Sequence, residues 1–206
     1  MIKSTKSALL ASALATLLAS SAFAQTSWDM PTPYGDGIFH TQNIRQFAED
    51  VSKATNGNLT ITVHSANSLF GHAEIPDAVR DGLVPIGEFL LSRLANEDPL
   101  YGLDSIPFLA SSYEDSAKLW SVSRDEISAK LAARGLTVLY AVPWPGQSLY
   151  LRKEVTEPAQ FEGLAFRAYN VASERLAQLL GATPTQVEET DVATAFTTGR
   201  VEAMIT

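Results

Sequence analysis

Short apolar runs with strand character alternate with helical patterns along most of this 206-residue chain. That alternation restricts the fold more than any other feature. Residues 26–30 read as a first strand. Residues 31–37, rich in Pro and Gly, read as a loop. Phe39–Ala54 reads as a helix, with Ile44, Phe47, Val51 and Ala54 on one face and Gly57 as its stop. Leu59–His64 alternates as a strand. The pattern continues with a helix over 73–80, strand 84–89, the long helix Tyr113–Ala133, and strands 136–142, 147–152 and 164–168. A helix over 172–180, strand 185–187, a helix over 191–198 and strand 201–205 complete it. Repeated βα units imply an α/β architecture with mainly parallel sheets. The run Pro143-Trp144-Pro145-Gly146 marks the expected domain boundary.

The N-terminus has the layout of a secretory signal. Lys3 and Lys6 form a positive region, residues 8–18 are apolar, and Ala22-Phe23-Ala24 supplies a cleavage site before Gln25. The apolar stretch is shorter than the roughly 20 residues that span a bilayer. Residues 1–24 are therefore assigned as a signal peptide, with no membrane insertion after cleavage. Removing it leaves 13 basic and 23 acidic residues, a net charge of −10. That sign disfavours nucleic acid and anionic membrane surfaces. No cysteine is present, which excludes disulfides, thiol catalysis and zinc–thiolate sites. Residues 25–145 are expected to form one α/β lobe and residues 146–206 part of a second, incomplete one. A piece of about 60 residues is at the edge of what buries an adequate core.

Within the segment GLAFRAYN (163–170), Arg167 stands among the apolar residues Leu164, Ala165, Phe166, Ala168 and Tyr169. A guanidinium is always charged and is rarely buried alone. It is either solvated, paired with an acid of its own chain, or reserved for a ligand carboxylate through two parallel hydrogen bonds. The residues alone leave these open.

Signs of catalysis are missing. His40, His64 and His72 lie on different elements without metal-ligand spacing, and no G-x-S-x-G, G-x-G-x-x-G or P-loop occurs. The acid pairs, Glu188-Glu189 among them, read as solvated charges. The chain therefore reads as a binding protein rather than an enzyme, with no metal or cofactor required. Trp28, Tyr34, Phe39 and His40 gather at the first strand–helix junction, and Trp144, Tyr150 and Tyr169 near the second lobe's entry. Trp120 and Phe108 read as core residues.

Several segments in order resemble one family. FAEDVSKATNGNLTITVH (47–64), EIPDAVRDGLVPIGE (74–88) and DSIPFLASSYEDSAKL (104–119) are three of them. FEGLAFRAYNVASERLAQLLGATPTQV (161–187) and AFTTGRVEAMIT (195–206) are the others. Together they are similar to the extracytoplasmic solute-binding proteins of tripartite ATP-independent periplasmic (TRAP) transporters, the DctP-like family. The resemblance implies a periplasmic protein with two α/β lobes closing on a small organic acid, which is delivered to membrane permease subunits. Arg167 matches the family's carboxylate-clamping arginine, and Asn170 follows in the same motif. Where many members carry a second arginine upstream, this chain has Gln147, with Arg152 nearby. The stretch 143–150, with Trp144, suggests instead a monocarboxylate with an apolar or aromatic body. Trp28, Tyr34 and Glu88 complete the candidate ligand-binding set. The family's chains continue well beyond a point like Thr206, so a domain-sized piece is expected to be missing. A ligand sensor acting on a kinase is the competing function.

Overall fold

The computed structural model describes residues 25–206, and the signal peptide assigned to residues 1–24 lies outside the described residues. β1 (Thr26–Pro31) and β2 (Leu59–His64) form a two-stranded parallel sheet, with Thr26 opposite Leu59 and Pro31 opposite His64. Parallel neighbours need a crossover, supplied here by helix α1 (Phe39–Ala54). Its buried stripe is His40, Thr41, Ile44 and Ala48. Ile44 packs with Met30 and Ile86, and Trp28, Phe47, Ile61 and Val63 close around them. Ala54 is exposed, because the helix is already ending there. Asn56 and Gly57 both take positive φ, and the Gly57 N–H donates back to Ser52 O at 2.8 Å. That reversal is the left-handed helix stop expected of Gly.

Helix α2 (Ile75–Arg80) buries Ile75, Pro76 and Ala78. The chain then runs beside β1, where the Glu88 N–H donates to Pro31 O at 3.0 Å. The expected strand over 84–89 is extended, but it lacks a regular ladder; Val84 and Ile86 are nevertheless buried. Helix α3 (Tyr113–Ala133) starts at Ser112, whose Oγ accepts from the Asp115 N–H at 3.1 Å. Glu114 and Asp115 in its first turn complement the helix dipole. Ile127 and Leu131 pack with Tyr101 and Leu136, and Trp120 covers their edge.

The expected strand over 136–142 does not form either. An apolar run becomes a strand only when a neighbour takes up its N–H and C=O groups, and among the described residues none pairs with it. Phe108 is also not core: it is 97% exposed, on a turn where its own φ is +65°.

The second sheet has the order β3-β6-β4-β5. β4 (Ala165–Ala168) is parallel to β5 (Thr183–Gln186) and to β6 (Ala203–Ile205), while β3 (Leu149–Leu151) runs antiparallel to β6. Helix α4 (Val171–Leu179) and helix α5 (Val192–Thr198) make the crossovers. Phe161, Leu164, Phe166, Ala177, Ala182 and Ala203 form its core. The architecture is α/β, as the alternation predicts. Among the described residues, no helix is long and apolar enough to cross a membrane.

Candidate functional site

β4 builds the centre of the site. Strand side chains alternate faces, so Phe166 enters the sheet's core while Arg167 points from the opposite face. Arg167 is only 5% exposed. Its Nε–H donates to the backbone O of Val187 at 3.0 Å, and its Nη1 donates to Thr206 Oγ1 at 3.2 Å. Both partners are neutral oxygens. The acids Glu188 and Glu189 act on it only through their more distant fields, while burial pushes its pKa down. A guanidinium carries five N–H donors and stays protonated in proteins. Two directed bonds therefore leave most of its fork free for an incoming anion.

Tyr169, two residues along, lies under the guanidinium, with Arg167 Cζ 4.8 Å from its ring centre. Its hydroxyl donates to Gln147 Oε1 at 2.8 Å. Gln147 thus reaches the cation's neighbourhood through Tyr169. Asn170 has a different task. Its Oδ1 accepts from the Ser173 N–H at 2.9 Å, capping α4, while its Nδ2 donates to Ser92 Oγ at 2.9 Å and to Ser105 Oγ at 3.3 Å. Its hydrogen-bonding groups are spent within the protein.

Glu188 joins the two halves of the chain. It reads as a solvated acid in the sequence, yet its Oε1 takes Arg93 Nη1 at 2.9 Å and its Oε2 faces His72 Nδ1 at 3.2 Å. The Leu90 N–H donates to His72 Nε2 at 3.0 Å, so the Nδ1 carries the ring proton and donates to Glu188. That hydrogen bond is the largest cause of the low Glu188 pKa, about 2. Burial pushes His72 the other way from its usual protonation, lowering its pKa. Arg93 also donates to Tyr169 O at 3.3 Å.

A second group in the amino-terminal half carries aromatic rings. Trp144 packs edge-on against Tyr34 and Phe39, at 5.2 and 5.4 Å between ring centres, and tilted against His40 at 4.2 Å. The Tyr34 hydroxyl and His40 Nε2 are buried without partners. Beneath them, Glu88 Oε2 accepts from Thr32 Oγ1 at 2.6 Å, and burial raises its pKa. Tyr34, His40, Glu88, Trp144 and Trp28 line a cavity of about 670 Å³. Arg167 is outside that cavity's lining.

The segment from residue 36 to residue 205 matches a family profile described as bacterial extracellular solute-binding protein, family 7, or DctP. The chain belongs to this family. It is 46% identical to a marine metagenome TRAP solute-binding protein solved with co-purified pyroglutamate, with a TM-score of 0.86. It is 44% identical to DctP7 of Bordetella pertussis, a receptor binding pyroglutamic acid, with a TM-score of 0.84. Each match covers 88% of this chain and 60% of the solved one. A solute-binding protein of Albidiferax ferrireducens is 25% identical over 202 residues, covering 94% of this chain and 60% of that one.

In this DctP-family chain, the other two candidates sit apart from Arg167. Trp28 is half-buried on β1 and packs into the first sheet's core. Arg152 is exposed at the β3–β6 edge, where its guanidinium lies against Gly199. Sequence reading passed over Arg93, Ser92 and the His72–Glu188 contact. No local signal marks them, because their partners lie up to 116 positions away.

Proposed function

We propose that the protein is a periplasmic solute receptor of a TRAP transporter, with residues 25–145 in one lobe and 146–206 in part of the other. It captures a small organic acid and passes it to membrane permease subunits, without a catalytic step of its own. One observation carries this reading: among the described residues, the buried Arg167 guanidinium donates hydrogen bonds to neutral oxygens alone. A buried charge left without a counter-charge is costly, and a ligand carboxylate binding the free fork bidentately removes that cost. The two relatives at 44 and 46% identity, both described with pyroglutamate, support a compact monocarboxylate as the cargo. Gln147, Trp144 and Tyr34 would surround it, and closure of the lobes over it follows from ligand contacts made by both.

Calorimetric titration of the purified protein with pyroglutamate tests the reading. We expect binding that weakens about a hundredfold in Arg167→Ala, the scale of a charge-assisted pair. Unchanged affinity in the variant would rule out the clamp.

A further inference from the structure

We propose that Glu188 is a latch between the two parts of the receptor, holding residues 146–206 against residues 25–145 in the arrangement that accepts the acid. It acts on the captured acid through that arrangement, as a positioning residue. This deepens the solute-capture reading and rests on it.

The two parts keep separate apolar cores. The cluster around Phe166 and the smaller one of Val187, Ala195 and Val201 come wholly from residues 146–206. The clusters around Ile44 and Ile127 come wholly from residues 25–145. Among the described residues, no buried apolar cluster draws on both. What crosses the seam is polar. Glu188 reaches Arg93 at 2.9 Å and His72 at 3.2 Å. Asn170 reaches Ser92 and Ser105, and the Gly35 N–H donates to Glu189 Oε2 at 3.4 Å. An apolar seam resists opening because water must wet it, whereas a polar one exchanges its partners for water at small net cost. Polar seams of this kind let the parts of a chain move against one another.

Glu188 makes the strongest of these contacts. Both its oxygens are committed across the seam, one to a cation and one to the N–H of a ring that the Leu90 N–H holds in place. The bonds of Asn170 join neutral groups, which are about half as strong as charge-assisted ones. The Arg93 and Glu188 side chains are 20% and 30% exposed. Water therefore screens this pair less than one on the open surface, and still has a way in when the pair parts. Its anchor points are fixed. Arg93 sits in the short helical turn Leu91–Leu94, and Glu188 follows β5 by two residues. An acid that touches both parts binds only while they are together. Its apparent affinity falls with the population of that arrangement.

The chain has no cysteine, so Asp125→Cys and Arg175→Cys, exposed on α3 and α4, place one spin label on each part. Pulsed electron–electron resonance reads their distance distribution at pH 7 without and with pyroglutamate, and calorimetry reads affinity. We expect Glu188→Ala to broaden the distribution of the unliganded protein and pyroglutamate to narrow it again. Affinity should fall about tenfold, the scale of one charge-assisted contact. Glu188→Gln keeps the His72 bond and loses the ion pair, so its effects fall between; it also serves if Glu188→Ala does not fold. Combining Arg93→Gln with Glu188→Gln should weaken binding by less than the product of the two single losses. Unchanged distances overturn the latch, and together with weaker binding they place Glu188 on the acid instead. Broadened distances with unchanged affinity overturn its role in capture. No binding of pyroglutamate by the native protein removes the capture reading, while the unliganded distances still decide whether Glu188 holds the seam.

Discussion

The Arg167 guanidinium carbon sits 4.8 Å from the ring centre of Tyr169, two residues on and just past the end of β4. A cation over an aromatic face gains about 0.5–2 kcal/mol, more as water is excluded. The ring covers one face of the guanidinium.

The ring and the hydroxyl of Tyr169 are separable. Tyr169→Phe keeps the stacking and loses only the bond to Gln147, and should weaken acid binding by no more than about threefold, the scale of one modest hydrogen bond. Tyr169→Leu removes the stacking, and should weaken it by about tenfold. Calorimetry with pyroglutamate reads both. Equal losses would mean that the ring face contributes nothing.

Asn170 should act on stability rather than affinity. Asn170→Ala removes an N-cap and two cross-links to Ser92 and Ser105. It should lower the unfolding free energy by about 1–2 kcal/mol. Denaturant unfolding measures that loss. A variant of normal stability with strongly impaired binding would instead place the side chain on the ligand.

Gly87 is held by contact. A Cβ there would stand 2.7 Å from Ile75 Cγ2 and 3.2 Å from Val79 Cγ2. Gly87→Ala should cost about 1–3 kcal/mol through overpacking, and should also shift the adjoining Glu88. Thermal unfolding measures that loss.

Acid should weaken the fold in two stages. His40 has its pKa lowered from 6.5 to about 4, and His72 is lowered too. The unfolded chain then binds more protons below pH 6.5, so stability is lost as pH falls from 6.5 towards 4. Glu188 is depressed from 4.5 to about 2, so its contribution is complete above 4.5 and is lost as pH falls towards 2. Melting temperatures across pH 3–8, for native protein, His40→Gln and Glu188→Gln, check this. His40→Gln should flatten the upper stage and Glu188→Gln the lower one.

Local periodicity made much of the fold legible. The alternation in Leu59–His64 and the helical spacing in Tyr113–Ala133 both appear as read. Val84–Phe89 and the run from Leu136 were apolar enough for strands, but whether a ladder forms depends on a neighbour the segment does not contain. Phe108 misled because hydrophobicity says nothing of a positive φ on a turn. In the site, Arg167 was visible because a cation in an apolar strand is conspicuous. Glu88 was visible only as a member of a resembling segment. Glu188 looked like surface charge, since its meaning comes from His72 and Arg93, brought in by the fold.

The strand order β3-β6-β4-β5 puts β6, late in the sequence, between strands made earlier. Among the described residues, β3 has no other strand partner. During synthesis, its backbone groups stay open until residues 203–205 leave the ribosome. Assembly of this sheet is thereby deferred until nearly all of residues 25–205 have been made, so an amino-terminal portion ending before β6 could not complete it.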